Sequence, residues 1–440
     1  MVRVSTSLNG SRRSKASLVA VVAAVVAATT VLAACGGGDA GSSAASSSAA
    51  AVPSADPNAI KPSLVGMHIE GAEGGAWASA PFGALRIWDN GTGWSQIETE
   101  PGVFKWDNLD GVVENATSKG MTDILMVLGT TPEWNAKEVG KDDYPQPGAA
   151  SAPKDLAAWD NWVTEVATRY QGRINAYQIW NEANLKNFYN GTPEEMAELT
   201  KRAYDIIKKI DPNATVVAAS PSTRLESSFS KFYPAYLKAL GEKGWPVDVF
   251  AIHTYPNSKG DPSARGALIQ AAKDALTAAG APDLPLWDTE LNYGLAGPGP
   301  DFPKQDITGA KAAGWVVRTY IDDLRYGVGR SYWYIWTPKP YDLLGIQAFP
   351  GSDAEQGFFA LENWVFGASF VGCDENGGAV ICNFTKDGAK SIVAWAQTGE
   401  VPYTAPEGSQ LVCDPLANCQ ELAAGTAVTL TEVPVRIYLQ

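Results

Sequence analysis

Short apolar runs recur eight times between residues 64 and 336, and this periodicity limits the folds open to the chain more than any other feature. The runs are Leu64–Ile69, Ala84–Trp88, Ile124–Gly129, Ala176–Trp180, Thr215–Ala219, Val247–Ile252, Leu284–Trp287 and Ser331–Trp336. Helical patterns lie between most of them. Asp155–Tyr170 sets Leu156, Trp159, Val163 and Val166 at helical spacing. Pro193–Ile210 opens with Thr192 as cap, Pro193 in the first turn and Glu194 and Glu195 near the positive end of the helix dipole. Ile307–Tyr326 is a third such stretch. Strand–helix alternation repeated eight times over roughly 300 residues predicts an α/β chain folded as a (β/α)₈ TIM barrel. The competing architecture is a doubly wound open sheet. That fold usually carries a Gly-rich phosphate turn after its first strand, whereas the first run here reads Gly66-Met67-His68-Ile69-Glu70.

Past about residue 368 the texture changes. Short β-like runs at Ala379–Phe384, Ser391–Ala396, Ala427–Leu430 and Val433–Leu439 are separated by turn residues, and no helical period is visible. Residues 369–440 are therefore expected to form a small β-rich accessory domain packed on a barrel of residues 61–368, with a strand from before Leu64 as a candidate to complete it. The N-terminal end differs again. Arg12, Arg13 and Lys15 precede an uncharged stretch from Ala16 to Ala34, which closes on Leu32-Ala33-Ala34-Cys35 and is followed by three glycines. This resembles a bacterial lipoprotein signal. The resemblance implies that residues 1–34 are removed, that Cys35 is lipidated, and that the chain is anchored to the cell membrane outside the cytoplasm. A transmembrane anchor is the alternative, because the run is long enough to span. Its Ala-rich character and small residues beside a cysteine favour a cleavage site. Residues 35–60, rich in Gly, Ala and Ser, read as a flexible tether.

Charge and cysteines narrow the function. The formal net charge is −14, and loss of the signal would take it to −18. No run of Lys or Arg lies beyond the first fifteen residues, so a nucleic-acid partner is not expected. The chain holds 15 Trp and 16 Tyr, enough for a core and also for the stacking surfaces that sugar clefts need. Four of its five cysteines, Cys373, Cys382, Cys413 and Cys419, cluster near the C-terminus. In an exported chain they read as two disulfides with three possible connectivities. Short separation favours Cys373–Cys382 and Cys413–Cys419, and no His lies near enough to suggest zinc instead. With only His68 and His253 present, a His-rich metal site cannot be built, and neither a Gly-x-Ser-x-Gly elbow nor a phosphate-binding loop is found. No metal and no cofactor are expected. Oligomeric state is not readable.

Two of the eight runs lead into a carboxylate set among aromatic and amide residues. One continues Tyr177-Gln178-Ile179-Trp180-Asn181-Glu182, the other Leu286-Trp287-Asp288-Thr289-Glu290. Only a fold can bring Glu182 and Glu290 together; brought together, they form the facing carboxyl pair that cleaves a glycosidic bond. In a barrel the active site lies at the C-terminal ends of the strands. The notable polar and aromatic residues collect there: His68, Arg86, Asp89, Trp134, Asn181, Glu182, Ser220, His253, Tyr255, Glu290 and Trp336. Any one of them alone reads as a helix cap, a structural ion-pair partner or core packing; their shared position carries the weight.

The segments Trp180-Asn181-Glu182, His253-Thr254-Tyr255 and Trp287-Asp288-Thr289-Glu290, with Trp94–Trp106 after the second run, resemble the retaining glycoside hydrolases built on (β/α)₈ barrels. Within that clan the chain most resembles glycoside hydrolase family 39 and related endo-acting enzymes, which pair the barrel with a β-rich domain. The resemblance implies a carbohydrate substrate, Glu290 as nucleophile and Glu182 as acid/base. A retaining mechanism needs the two carboxyls about 5–5.5 Å apart, and strands four and seven face across the barrel mouth. Asn181 would bond the sugar 2-hydroxyl, and Arg86 would hold Glu290 ionised. His253 and Tyr255 would orient the nucleophile and the departing sugar, and Trp336 would floor the central subsite. Trp134 and His68 complete the expected substrate-binding set. The rival reading is a catalytically silent carbohydrate-binding lipoprotein.

Overall fold

The computed structural model describes residues 56–440. The expected export signal, Cys35 and most of the expected tether lie outside the described residues. Eight parallel strands, β1 (Val65–Ile69), β2 (Ala84–Ile87), β3 (Ile124–Leu128), β4 (Ala176–Ile179), β5 (Thr215–Val217), β6 (Phe250–His253), β7 (Leu286–Leu291) and β8 (Arg330–Trp336), form one sheet in the order β5-β4-β3-β2-β1-β8-β7-β6. Isolated bridges Val217–Val249 and Ser222–His253 join β5 to β6 and close the sheet on itself. This is the (β/α)₈ barrel that the alternation predicts.

The helices are α1 (Trp94–Ile97), α2 (Asp107–Ser118), α3 (Leu156–Arg169), α4 (Pro193–Ile210), α5 (Glu226–Glu242), α6 (Pro262–Ala278), α7 (Gly309–Tyr326) and α8 (Asp353–Trp364). Their ends follow local chemistry. The Asp155 side chain accepts from Ala157 N to cap α3, and Thr192 and Glu195 make a reciprocal capping box on α4. Gly327 ends α7 with a left-handed φ of 66°.

Alternation along the strands sorts the barrel interior into layers. Ala84, Leu125, Ala176, Val217, Ala251 and Tyr332 form an apolar cluster. Two residues further along the same strands stand Arg86, Gln178, His253 and Tyr334 beside Val127 and Ala219, so the next layer is largely polar. Tyr332 fits inside only because β1 carries a glycine opposite: a Cβ on Gly66 would lie 2.3 Å from the Tyr332 ring. The register of β7 slips against both neighbours near its C-terminal end. That irregularity lets consecutive residues Thr289 and Glu290 both reach inward, which a regular strand forbids.

The C-terminal region holds eight strands where the sequence suggests four: β9 (Ser369–Asn376), β10 (Ala379–Lys386), β11 (Ala389–Ala396), β12 (Val401–Thr404), β13 (Ser409–Cys413), β14 (Cys419–Glu421), β15 (Ala427–Leu430) and β16 (Val435–Leu439). They make an antiparallel sheet in the order β14-β13-β16-β11-β10-β9 and a β12–β15 pair. Disulfides Cys373–Cys382 and Cys413–Cys419 each join residues directly opposite on neighbouring strands. One boundary needs correction. Residues 56–60, expected in the tether, are fixed: Ile60 is buried, its N–H donates to Ala368 O at 2.8 Å, and Ala59 bridges Ser369 at the edge of β9. A single large apolar side chain ends the tether early.

Candidate active site

Glu182 and Glu290 line the same cleft at the C-terminal end of the barrel, a cavity of about 220 Å³. Asn181, Ser222, Arg224, Tyr255, Asp89, Trp88, Tyr144, Phe188, Tyr334 and Tyr341 line it with them. Glu182 follows β4 in a left-handed backbone conformation, φ 42°, with Trp180 at φ 70°. Such values are costly for residues with a Cβ and persist where the surroundings fix them. Trp180 supplies that fixing: it is fully buried, and its indole N–H donates to Phe188 O at 2.7 Å.

Glu290 is held from two sides. Arg86 Nη1 donates to its Oε2 at 2.9 Å, and the Tyr255 hydroxyl donates to its Oε1 at 2.9 Å. The same guanidinium donates through Nη2 to Asn181 Oδ1 at 2.6 Å and through Nε to Gln178 Oε1 at 2.9 Å. This fixes the Asn181 amide with its N–H₂ group left for a ligand. Arg86 is completely buried and lies beneath the cleft. Its charge is matched by Glu290, a geometry suited to the fork of a guanidinium.

Glu182 meets a different partner. His253 Nδ1 lies 3.2 Å from Glu182 Oε1, and His253 Nε2 lies 3.0 Å from Thr289 Oγ1. Burial pushes the His253 pKa down to about 3, so the ring is neutral near neutral pH. A neutral imidazole serves both states of Glu182. With the proton on Nδ1 it donates to the carboxylate; with the proton on Nε2 it accepts from the carboxylic acid and donates to Thr289. Burial raises the pKa of both carboxyls. His253 and Arg86 oppose the rise at Glu290, while Glu182 and Asp89 add to it; at Glu182 the Ser222 hydroxyl, Arg224 and Arg86 oppose it. The two donors on Glu290, Arg86 and Tyr255, favour its ionised form.

The remaining expected residues divide. Tyr255 and Asn181 line the cleft with the two glutamates. His68 lies below it, with Nε2 3.2 Å from Thr289 O and 3.3 Å from Arg86 Nη1, and its ring edge-on to Tyr334 at 5.0 Å. Trp336 and Trp134 do not line the cleft, which corrects the expectation of Trp336 as the floor of the central subsite and of Trp134 as a substrate-binding residue. The inward positions of β8 are Tyr332 and Tyr334, so Tyr334 stands where Trp336 was expected, and Trp336 is buried in the main hydrophobic core. Trp134 packs edge-on against Trp94 at 6.1 Å and donates to Glu98 O at 2.9 Å, which ties the loop after β3 to the loop after β2. Asn292 is structural: its amide donates to Tyr334 O and Ile346 O. Asp89 lines the cleft and accepts from the Tyr144 hydroxyl at 2.9 Å. Sequence reasoning missed Tyr144, Tyr334, Tyr341 and Arg224. The alternation of β8 pointed to Tyr334; the others sit in loops with no local signal.

A family model for glycosyl hydrolases family 39 matches residues 98–337, more than half of the chain. The chain belongs to glycosyl hydrolase family 39. Family 39 enzymes are retaining glycosidases, and two carboxyl groups line the cleft of this barrel. Over 250 residues the chain is 28% identical to a beta-xylosidase of Caldicellulosiruptor saccharolyticus, a match covering 52% of this chain and 48% of that protein. The chain thus spans about half the length of this curated relative. Two solved structures share its fold. One is a family 39 glycoside hydrolase from the gut symbiont Bacteroides cellulosilyticus WH2, with TM-score 0.64, 16% identity, and coverage of 87% of this chain and 83% of that one. The other is a monomeric beta-xylosidase from Caulobacter crescentus CB15, with TM-score 0.60, 16% identity, and coverage of 87% and 97%.

Proposed function

We propose that this family 39 chain is an exo-acting retaining β-glycosidase that works outside the cytoplasm, held to a bacterial membrane through Cys35. One observation carries the catalytic part: two buried carboxyls share a cleft but have opposite partners, Arg86 on Glu290 and neutral His253 on Glu182. In the first step a Glu290 oxygen bonds to the anomeric carbon as the glycosidic C–O bond breaks, and Glu182 gives its proton to the departing oxygen. In the second, water loses a proton to Glu182 while its oxygen displaces Glu290, restoring both groups. Tyr255 and Arg86 hold Glu290 in line, and Asn181 offers its amide N–H to the sugar hydroxyl next to the anomeric carbon.

Exo action is supported by the shape of the cleft. The 220 Å³ cavity is walled by Trp88, Tyr144, Phe188, Tyr334 and Tyr341, with room for one terminal sugar, and Asp89 offers it an acceptor. The beta-xylosidase relative makes β-xylosides the first substrates to try. The test is hydrolysis of aryl β-glycosides by the mature chain, beside Glu290→Gln and Glu182→Gln. Loss of turnover in both, with retained anomeric configuration in the product, supports the reading. Sugar binding without turnover in the unaltered chain would move it to the silent carbohydrate-binding lipoprotein.

A further inference from the structure

We infer that a groove beside Glu182 receives the leaving part of the substrate and selects a carboxylate-bearing saccharide, with Arg224 as its anion contact. The inference rests on the glycosidase reading above. A general acid protonates the oxygen that departs, so the leaving group exits on the side of the acid. On that side the residues directly after Glu182, Ala183 to Asn187, run into a second cavity of about 900 Å³. Leu185, Arg224 and Leu225 line both cavities, so the two spaces adjoin. The groove is far larger than the cleft and has room for several sugar units. Tyr189 and Phe232 give it apolar surface for the C–H faces of sugars.

Its charge is unlike that of the molecule. The chain has a formal net charge of −14, yet Arg224, Lys186 and Lys231 line this groove against one acidic residue, Glu226. Among the described residues none of these three cations takes part in an ion pair. Arg224 is the most informative. Its Nη2 donates to Ala296 O at 3.0 Å, which fixes the guanidinium, while its Nη1 is buried with no acceptor. A buried donor without a partner is costly, and more so when charged. A ligand carboxylate supplies the missing acceptor in the planar geometry that arginine prefers. Lys186 and Lys231 are exposed and add long-range attraction rather than a fixed contact.

The test compares 4-carboxyphenyl and 4-carbamoylphenyl β-glycosides across a set of common glycones, the xyloside first. The leaving phenols differ little in acidity, the carboxamide being the slightly better leaving group, so intrinsic reactivity works against the expected result. The carboxyphenyl series should show kcat/KM higher by roughly tenfold at low salt, the worth of one hydrogen bond to a charged group. That ratio should fall towards one in Arg224→Gln and shrink in Lys231→Gln, a surface change that keeps the assay informative if the arginine variant misfolds. Equal kcat/KM in the unaltered chain, or an unchanged preference in Arg224→Gln, overturns the groove's role and leaves the glycosidase reading standing. Calorimetric binding of the same pair to Glu290→Gln separates the two ideas. A carboxylate preference in binding without turnover by the unaltered chain removes the glycosidase reading and keeps the groove. Neither binding nor turnover with any glycone removes both.

Discussion

Arg86 is the residue whose removal tests the catalytic arrangement most directly. It is fully buried and donates to Glu290 at 2.9 Å, Asn181 at 2.6 Å and Gln178 at 2.9 Å. Arg86→Met fills much of the space but leaves the Glu290 carboxylate buried with only Tyr255 as donor. An opposite charge at such range lowers a carboxyl pKa by about 1–3 units, and its loss returns them. The nucleophile must be ionised, so the acid limb of the kcat/KM profile should move to higher pH by about 1–3 units. Activity should fall much more at acid pH than at alkaline pH. Breaking a buried ion pair also costs about 3–5 kcal/mol of stability, visible as a lower thermal midpoint. Arg86→Lys keeps the charge but cannot reach three acceptors at once; its acid limb should stay in place while kcat falls. The assay is kcat/KM against pH on the aryl glycoside of highest turnover, with circular dichroism to confirm folding. A folded Arg86→Met variant with its acid limb at the original position would refute the claim that this arginine keeps the nucleophile ionised.

Asp89→Asn should shift the same limb the opposite way, because the Asp89 charge raises the Glu290 pKa and its removal lowers it; an upward shift would contradict this. Arg265 is fully buried and donates to Asp288 and Asp323 at 2.9 Å each, so Arg265→Met should cost about 3–5 kcal/mol in denaturant unfolding with little change in KM. For His253, burial holds the folded pKa at about 3 against an ordinary value of 6.5. Between those values the unfolded chain takes up a proton that the native ring refuses, so stability is lost as pH falls below 6.5, by roughly 5 kcal/mol at the limit. His253→Gln should lack this component, and a pH dependence of the unfolding midpoint identical to the parent's would rule it out. Reduction of the two disulfides, with sequence separations of 9 and 6, should cost about 2–3 kcal/mol each in stability while turnover by the folded barrel persists.

The sequence signalled most clearly where apolarity and strand coincide. β3 and β4 are apolar runs that end within a residue of their predicted limits. At β7 the predicted run stops at Trp287, but the strand continues to Leu291. Asp288 pairs with Arg265, Thr289 meets His253 and Glu290 meets Arg86, so polar residues occupy a strand interior that hydropathy counts as loop. β6 likewise runs on to His253. The two glutamates of the cleft are legible because each follows an apolar run, whereas the place of Trp336 follows from the alternation of β8 and not from its residue type. In the C-terminal domain β9, β12, β13 and β14 went unseen, since half-exposed strands lack a continuous apolar signature. The cysteine pairing was readable for a geometric reason: short separations suit hairpin neighbours, and both pairs stand opposite each other across two strands.

The polar layer also explains why the catalytic geometry depends on the whole barrel rather than on one loop. Arg86 comes from β2, Gln178 and Asn181 from β4 and its end, and Glu290 from β7. In the sheet order β2 neighbours β1 and β3, so its bond to Glu290 crosses the interior instead of following a strand pair. His253 makes a second link, from β6 to Glu182 beyond β4, across the seam where only isolated bridges join β5 to β6. Each carboxyl is therefore positioned by a side chain from a non-adjacent strand. Those side chains are themselves fully buried, so neither can re-aim without moving the barrel wall. Closure of the barrel and alignment of the two carboxyls are in this sense one event. The placing of Glu290 over a buried cation, and of Glu182 against a neutral ring, follows from which strand ends the closed barrel brings face to face.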